Sequence, residues 1–302
     1  MKKESLLIIL GYISICLLWG STWLAIKVGL ESLTPFISSG ARFTVAAIFF
    51  FLIIKIRNIK VQTDRLAIKL YLIMGFFSFA IPFGLVYWGQ KFIPSGLASI
   101  LFAVYPFFVI IFTKVLFKEE EVNAYKIVGS LIGFLGIIVI FSDSLVIQSG
   151  IAILGYLAVV LSAIMQAFVA VLLKKYGKKL NPVSMNLFPV FIAGVLLLLI
   201  GFMTEDTSKI RIDENAVFSV LYLASFGTIA TFSTYYWLMK KISVVLLAIS
   251  AFLTPIVSVL LGWLILDEKL SLQEIMGSLL VLLGILVANL KGLQKIIVKG
   301  DK

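Results

Sequence analysis

Long apolar runs separated by short polar turns make up most of this chain. Ten of these runs approach the roughly 20 residues that an α-helix needs to cross about 30 Å of hydrocarbon. The pattern therefore predicts an all-α membrane protein with ten transmembrane helices. The runs lie at Leu6 to Ile26, Phe36 to Ile54, Leu66 to Trp88, Ser95 to Phe117, Ala124 to Phe141, Ile151 to Leu173, Val183 to Met203, Ala216 to Met239, Val244 to Leu266 and Leu272 to Leu290.

Composition agrees with a protein that is dissolved in lipid. Of the 302 residues 61% are hydrophobic and 14% are charged, and the mean hydropathy is +1.13. A soluble domain has about 45–50% apolar and about 25% charged residues. The sequence contains one cysteine, Cys16, and no histidine. Since a single cysteine forms no intrachain disulfide, Cys16 is interpreted as a small packing residue.

Lysine and arginine are distributed unequally between the two ends of the predicted helices. Of the 26 basic residues, 20 fall on the side that carries both termini, 5 fall on the other side, and Arg42 lies within a span. An excess of basic residues marks the cytoplasmic side, so both termini are predicted to be cytoplasmic in the cell membrane. The net charge of +11 is dispersed over short turns. No nucleic-acid partner is therefore expected.

The chain contains one sequence unit twice. Tyr87 to Glu119 matches Tyr236 to Glu268 at a constant offset of 149 residues. The predicted repeats are residues 6–142 and 151–290, with five helices each. Because each repeat contains an odd number of spans, the first helices of the two repeats cross the membrane in opposite directions. The repeats are therefore predicted to be inverted, an architecture typical of transporters. A purely structural duplication is the alternative interpretation.

The residues also resemble a known family. LLWGSTWLAIKVGLESLTPFISSGARF, Leu17 to Phe43, is similar to the opening signature of the EamA family in the drug/metabolite transporter superfamily. The two copies that end in Glu119 and Glu268 resemble its fourth and ninth helices. The family often has Gly-Glu there, where this chain has Lys118 and Asp267 before the glutamates. The resemblance implies a ten-helix bundle around a central cavity lined chiefly by helices one, three, four, six, eight and nine.

These observations together predict a transporter of small organic metabolites, either amino-acid-like solutes or drugs, that works by alternating access, with export as the expected direction. A membrane structural or assembly protein and an intramembrane enzyme are the alternatives. Without histidine, neither a serine–histidine protease nor a histidine-ligated zinc protease is available. The spans also lack the two buried aspartates of an aspartyl protease. The expected partners are a small solute and the lipid bilayer, with no metal or cofactor.

Weakly polar and aromatic side chains recur at helical spacing in several spans. Residues three or four apart lie on one face of a helix, and a polar face inside a membrane turns toward protein or water. For any single serine or threonine, a hydrogen bond to its own backbone or to a neighbouring helix is the competing interpretation. For Trp23 the alternative is a place in the aromatic belt at the membrane interface, and for Trp19 and Tyr105 it is packing within the bundle. The candidates for the cavity wall are Trp19, Thr22, Trp23, Tyr87, Tyr105, Gln166, Thr228, Thr231, Tyr235 and Thr254.

Arg42 is the single formal charge well inside a predicted span. A charge at that depth costs about 2.5–3.5 kcal/mol or more, so the side chain must face protein or water, or extend outward. One hypothesis makes it an anion site for a substrate carboxylate. The other makes it a structural tie to loop carbonyls or to Glu31. The second is favoured because helix two is not expected to line the cavity.

Paired residues in the fourth and ninth helices predict moving parts. Pro106 and Pro255 lie mid-span at matching positions. Since proline frees a backbone carbonyl and permits a kink, both are predicted hinges. Glu119 and Glu268 end the two helices and are predicted to cap the helices that follow them, with gating as the alternative.

Glycines form small-residue faces on the fifth and tenth helices. Such faces allow two helices to approach closely. They predict tight packing either inside the bundle or across a homodimer. The glycines are Gly129, Gly133, Gly136, Gly277 and Gly284.

Overall fold

A computed structural model describes residues 3–116, 124–147, 150–242, 247 and 250–300. Throughout these ranges the regular structure is helical, without strands. Seven of the described helices are long and apolar enough to cross a membrane, and three further apolar helical segments occupy the remaining predicted spans. The prediction of an all-α membrane protein is thus confirmed.

The helices are labelled α1 to α10 in chain order. Three of them are not uniform: α3 and α8 each contain a π-helical segment, at Gly75–Ala80 and Ser225–Ala230, and α4 is divided into Ser95–Phe102 and Tyr105–Leu116. The described bounds are α1 Lys3–Gly29, α2 Pro35–Ile56, α3 Arg65–Gln90, α4 Ser95–Leu116, α5 Ala124–Ile147, α6 Gly150–Tyr176, α7 Leu187–Thr204, α8 Glu214–Lys241, α9 Ser250–Leu266 and α10 Leu272–Gly300.

The contacts between helices repeat when the two halves are exchanged. Helix α1 packs on α9 as α6 packs on α4, and α3 packs on α6 as α8 packs on α1. Two further pairs, α2 with α7 and α5 with α10, join equivalent helices and so map onto themselves. A pseudo-two-fold axis therefore passes through both of these self-paired contacts.

The glycines of α5 and α10 fix the direction of that axis. A Cβ added at Gly129 would overlap the carbonyl oxygen of Gly284, and one added at Gly136 would lie 2.5 Å from that of Gly277. The contact nearer the C-terminal end of α5 is thus the one nearer the N-terminal end of α10, so the two equivalent helices are antiparallel. A two-fold axis that relates antiparallel spans lies in the membrane plane, and the repeats are inverted. The glycine faces meet inside one chain, and the homodimer stays a prediction.

Helices α2 and α7 meet in the same way. A Cβ at Gly40 would lie 2.7 Å from the amide nitrogen of Leu198, and a Cβ at Gly194 would lie 2.8 Å from that of Thr44. At one end of this contact Glu205 accepts hydrogen bonds from the backbone N–H groups of Phe36, at 3.0 and 3.1 Å, and of Ile37, at 3.1 Å. The carboxylate therefore caps α2 from the other repeat.

Replacing Gly277 by isoleucine tests the α5–α10 contact. A Cβ there would lie 2.6 Å from the Gly136 carbonyl oxygen and from Ile140 Cγ1. We expect a loss of at least ~1–3 kcal/mol of stability, because two backbones must separate. The readouts are the monodisperse yield and the thermal unfolding midpoint in detergent. Gly150→Ile is the control, since a Cβ at Gly150 meets nothing within 4 Å. An unchanged Gly277→Ile midpoint would contradict this packing.

A second prediction concerns the end of α9. Asp267 has a φ of 51°, a left-handed conformation that favours glycine just after a helix. We expect Asp267→Gly to raise the thermal unfolding midpoint, by up to ~1 kcal/mol in stability, and Asp267→Val to lower it. Asn58, with a φ of 49° after α2, offers the same pair of substitutions as an internal comparison. A glycine variant less stable than the valine variant contradicts the conformational argument.

Candidate functional site

A cavity of about 110 Å³ lies between the repeats and is lined by side chains from α1, α2, α3, α4, α6, α8 and α9 and by Leu247. Six of these helices are those that the family resemblance implies, and α2 is additional. Among the candidates from the sequence, those that line the cavity are Trp19, Thr22, Trp23, Tyr105, Gln166, Tyr235 and Thr254.

Aromatic rings form much of the cavity wall. The Trp19 ring centroid lies 5.1 Å from that of Tyr235 and 5.7 Å from that of Phe232. Trp23 is 7% exposed and packs on Phe102 with ring centroids 5.5 Å apart. Offset and edge-to-face ring pairs of this kind hold their geometry well. The wall therefore offers rigid apolar surfaces to a solute.

The polar groups of the wall are few and partly engaged. The Thr22 hydroxyl donates to the Trp19 carbonyl at 2.7 Å, and the Thr254 hydroxyl donates to the Ser250 carbonyl at 2.8 Å. These bonds match the backbone-bonding interpretation of membrane threonines, and they leave hydroxyl lone pairs for other donors. Gln166 donates from Nε2 to Ser162 Oγ at 3.2 Å. It is the one carboxamide among the described lining residues.

A tyrosine pair closes one end of the cavity. The hydroxyls of Tyr105 on α4 and Tyr235 on α8 are 3.0 Å apart. Both tyrosines also line a second, smaller recess, together with Lys174 and Met239. That recess lies toward the face at which α1 begins and α10 ends, here called the terminal face. The tyrosine pair, which joins the two repeats, thus lies between the cavity and the recess.

The opposite face is closed by charged ties. Glu268 accepts from the Ser95 backbone N–H at 2.7 Å, from the Ser95 hydroxyl at 2.9 Å and from the Gly96 N–H at 3.1 Å. Lys27 donates to the carbonyls of Gln90 at 2.7 Å and Ile93 at 3.0 Å. These bonds join α9 to α4 and α1 to the α3–α4 turn.

The prediction that Glu268 caps the helix that follows it is therefore wrong. Glu268 caps α4 of the other repeat, whereas α10, the following helix, is capped by its own residues. Ser271 N–H donates to Glu274 Oε2 at 2.7 Å, and Glu274 N–H donates to Ser271 Oγ at 3.1 Å, a capping box. Glu119, the matching residue of the first repeat, lies outside the described residues.

A second tie at the opposite face joins the α1–α2 turn to the start of α8. The Ser32 hydroxyl donates to Asp213 Oδ2 at 2.6 Å, and the Ala216 N–H donates to Asp213 Oδ1 at 3.0 Å. The Ser32 bond, followed by the backbone bond, lowers the pKa of the Asp213 carboxyl. The pKa of Asp213 is therefore lower in the folded protein than in the unfolded chain. The stability that these bonds contribute is fully present at pH values above the unfolded-state pKa, and it is lost as the pH falls through the folded-state pKa.

Arg42 lies at the cavity, although helix two was expected to lie away from it. The side chain is 1% exposed. Its Nε donates to Thr228 Oγ1 at 2.9 Å, its Nη2 to the Gly227 carbonyl at 2.9 Å and its Nη1 to the Tyr87 hydroxyl at 3.3 Å. The guanidinium carbon is also 4.9 Å from the Phe83 ring centroid, within cation–π range.

The ties that the sequence analysis favoured for Arg42 do not form. Its carbonyl partner belongs to the π-helical segment of α8, not to a loop. Glu31 instead accepts from Asn215 Nδ2 at 3.3 Å.

Three candidates from the sequence stand behind the cavity wall. Tyr87 and Thr228 are 0% exposed and contact Arg42, and the Thr231 hydroxyl donates to the Gly227 carbonyl at 2.8 Å. None of the three is among the residues that line the cavity. They build the surroundings of the arginine.

The π-helical segment of α8 explains how Arg42 is held. A π-turn offsets the backbone ladder and frees carbonyl groups, and such turns occur frequently at functional sites. Here the Gly227 carbonyl accepts from both Thr231 and Arg42. A Cβ at Gly227 would lie 3.2 Å from Arg42 Nη2 and 2.9 Å from Thr22 Cγ2. Glycine at this position therefore permits the close approach of the guanidinium.

The two predicted hinges differ in the structure. Helix α4 is interrupted between Phe102 and Tyr105, just before Pro106. Helix α9 continues through Pro255 without interruption. The motion of either proline stays a prediction.

Comparison with known proteins identifies the family. The model of the EamA-like transporter family matches residues 6–142 and 153–290. The chain belongs to the EamA-like transporter family. A Bacillus subtilis member described as uncharacterized transporter YoaV is 30% identical, covering 92% of this chain and 95% of that protein. An uncharacterized transporter of Archaeoglobus fulgidus is 31% identical, over 89% and 94%.

Protein PagO of Salmonella typhimurium is 26% identical to this EamA protein over 94% of this chain and 93% of the relative. One solved crystal structure superposes with a TM-score of 0.70 at 19% identity, covering 93% of this chain and 96% of that one, so the two chains share a fold. The EamA match and the names of the relatives show a multi-pass membrane transporter.

Proposed function

We propose that this transporter carries small organic solutes, amino-acid-like or drug-like, by alternating access of its two inverted repeats. The observation that carries the proposal is the central cavity, whose walls come from both repeats and combine rigid aromatic surfaces with a few polar groups. Ligand sites are typically concave and mostly apolar, with few oriented polar groups. An inverted repeat places such a site where either mouth can reach it.

The closures at the two ends support this mechanism. Each closure is made by contacts between the repeats: Glu268 to Ser95 at the opposite face, and Tyr105 to Tyr235 toward the terminal face. Tilting one repeat against the other breaks one set while the other holds. The terminal face carries further ties between the repeats, since Lys241 donates to Glu4 at 2.9 Å and Lys175 to the Leu116 carbonyl at 2.8 Å, so opening either face requires charge-assisted bonds to break.

We also propose that the terminal face is cytoplasmic and that the cell membrane is the site of action. The support is the excess of basic residues, 20 of 26, on that face. A solute that accumulates in the cytoplasm then enters the site when the site is open to the terminal face. Its net movement is out of the cell, so the proposed direction is export. The absence of histidine from the sequence supports a carrier over an intramembrane enzyme. The short connections support a carrier over an assembly protein.

A disulfide across the opposite face tests alternating access. A Cβ at Gly96 on α4 would lie 3.6 Å from the Cβ of Val259 on α9, within disulfide range. We expect the Gly96→Cys/Val259→Cys variant, once oxidised, to lose at least about nine-tenths of its transport, since the opposite face cannot open. The measurement is efflux of a ¹⁴C-labelled mixture of standard amino acids from proteoliposomes.

Three comparisons make that result interpretable. Each single-cysteine variant with oxidant controls for the substitutions, and the double variant with dithiothreitol should regain the flux of the single variants. Replacing Cys16, the one native cysteine, with alanine prevents other pairings. Full transport by the oxidised double variant would overturn the proposed opening between α4 and α9.

Substitutions in the cavity wall form a separate prediction. We expect Trp19→Ala and Gln166→Ala to lower efflux of the same probes at least about 5-fold without loss of folded protein, because each removes a solute contact. Trp263→Ala and Phe168→Ala are matched controls, since these side chains are 60% and 39% exposed on the outer surface of α9 and α6. Unchanged kinetics in both cavity variants would remove this cavity as the solute site.

A further inference from the structure

The described wall of the cavity carries one formal charge. Its lining residues include Arg42 and no aspartate, glutamate or lysine. Within the described ranges, the ion pairs are Lys209 with Asp206 and Lys241 with Glu4, and none of these four residues lines the cavity. Arg42 therefore faces the cavity as a buried cation without a carboxylate partner. Isolated buried charges are expensive and mark functional sites in membrane helices.

Two of the three protein groups that accept from Arg42 also make hydrogen bonds that do not involve it. Thr228 Oγ1 also donates to the Leu223 carbonyl at 2.8 Å. The Gly227 carbonyl also accepts from Thr231 Oγ1 at 2.8 Å. The Tyr87 hydroxyl is the exception, with Arg42 as its partner at 3.3 Å. A structural tie is thus a poor account of why a guanidinium is kept at this depth.

The geometry leaves part of the guanidinium free. Of its five N–H groups, three donate to Thr228, Gly227 and Tyr87. The remaining two, one on Nη1 and one on Nη2, have no acceptor among the described residues. A pair of N–H groups on the two terminal nitrogens matches the two oxygens of a carboxylate.

We propose that Arg42 anchors the carboxylate of the transported solute, an inference that rests on the proposed function of the cavity. The substrate class is then a small solute with one carboxylate and an apolar or aromatic body that packs on Trp19, Phe232 and Tyr235. In a zwitterionic solute the ammonium lies over these ring faces, which attract cations. Cations without a carboxylate are repelled by Arg42. Tyr87 is a positioning residue that holds the guanidinium.

Binding to the purified full-length protein tests the anchor. The probes are 3-phenylpropionate with its neutral isostere 3-phenylpropanamide, hexanoate with hexanamide, and L-phenylalanine, titrated by calorimetry at constant ionic strength. We expect at least one carboxylate to bind about 10- to 100-fold more tightly than its amide, the usual range for hydrogen bonds to a charged group. A lack of binding by every carboxylate, or equal affinity for acid and amide, overturns the proposal.

The decisive variant is Arg42→Met combined with Tyr87→Phe, which leaves no hydroxyl unpaired. We expect its carboxylate preference to fall to within about 2-fold, while its thermal midpoint without ligand is equal to or above that of the wild type, since a buried charge is gone. A lower midpoint with the preference intact assigns Arg42 a structural role and overturns the anchor. Arg42→Lys is the second variant, because lysine keeps the positive charge and lacks the planar guanidinium. If this variant keeps the wild-type preference for carboxylate over amide, the proposed contact between two N–H groups and two carboxylate oxygens is overturned.

Proteoliposome flux separates the anchor from the transport proposal. If carboxylates bind through Arg42 but are not transported, the anchor is supported and transport through this cavity is refuted. Equal flux of acid and amide, unaffected by the double variant, leaves transport standing and refutes the anchor. The result expected is flux of the carboxylates that the Arg42→Met/Tyr87→Phe variant loses.

Discussion

Close packing of equivalent helices on one axis is the constraint on which this structure depends. Lipid tails are as apolar as leucine, so helices in a bilayer gain little by burying apolar surface against each other and depend on close contact and hydrogen bonds. At Gly129 and Gly136 the backbone of α5 approaches that of α10 so closely that a Cβ would overlap it. Helices α2 and α7 repeat this at Gly40 and Gly194. Because both pairs map onto themselves, these contacts set the inversion of the repeats and the central position of the cavity.

Polar groups at the ends of the helices obey a second rule. Glu268 and Glu205 each satisfy the free N–H groups at the start of a helix of the other repeat. Such bonds remove unsatisfied donors and connect the halves at the same time. Arg42 is different, because two of its N–H groups have no acceptor among the described residues, where the dielectric constant is low and a charge–charge contact is strongest. A charge at this depth costs about 2.5–3.5 kcal/mol or more, and under the proposed anchor a solute carboxylate that accepts from those donors would offset part of that cost.

The sequence predicts the parts of this fold that depend on length, period and repetition. Ten spans, their inversion and the placement of Trp19 and Tyr105 follow from these patterns. The π-helical segments do not, since apolar periodicity barely distinguishes i→i+5 from i→i+4 bonding. The position of Arg42 at the cavity depends on the close approach of Gly227 from another helix, and a local sequence pattern does not predict such a tertiary contact. The glycine followed by threonine in the middle of α8 was a signal that another group could approach the backbone there. The helix that Glu268 caps is likewise decided by tertiary contact.

Duplication preserved the backbone of the two halves and not their charge. Both repeats carry a π-helical segment, at Gly75–Ala80 and Ser225–Ala230. At the offset of 147 that relates Pro35 to Pro182, however, Arg42 corresponds to Pro189. Two facing arginines would repel each other and require a dianion, whereas one arginine is matched by one carboxylate. Helices α2 and α7 pack together on the axis, so under the proposed alternating access the guanidinium would stay beside the centre of the cavity whichever end opens. A single anchor in that position would hold the same group of the solute in both orientations of the carrier.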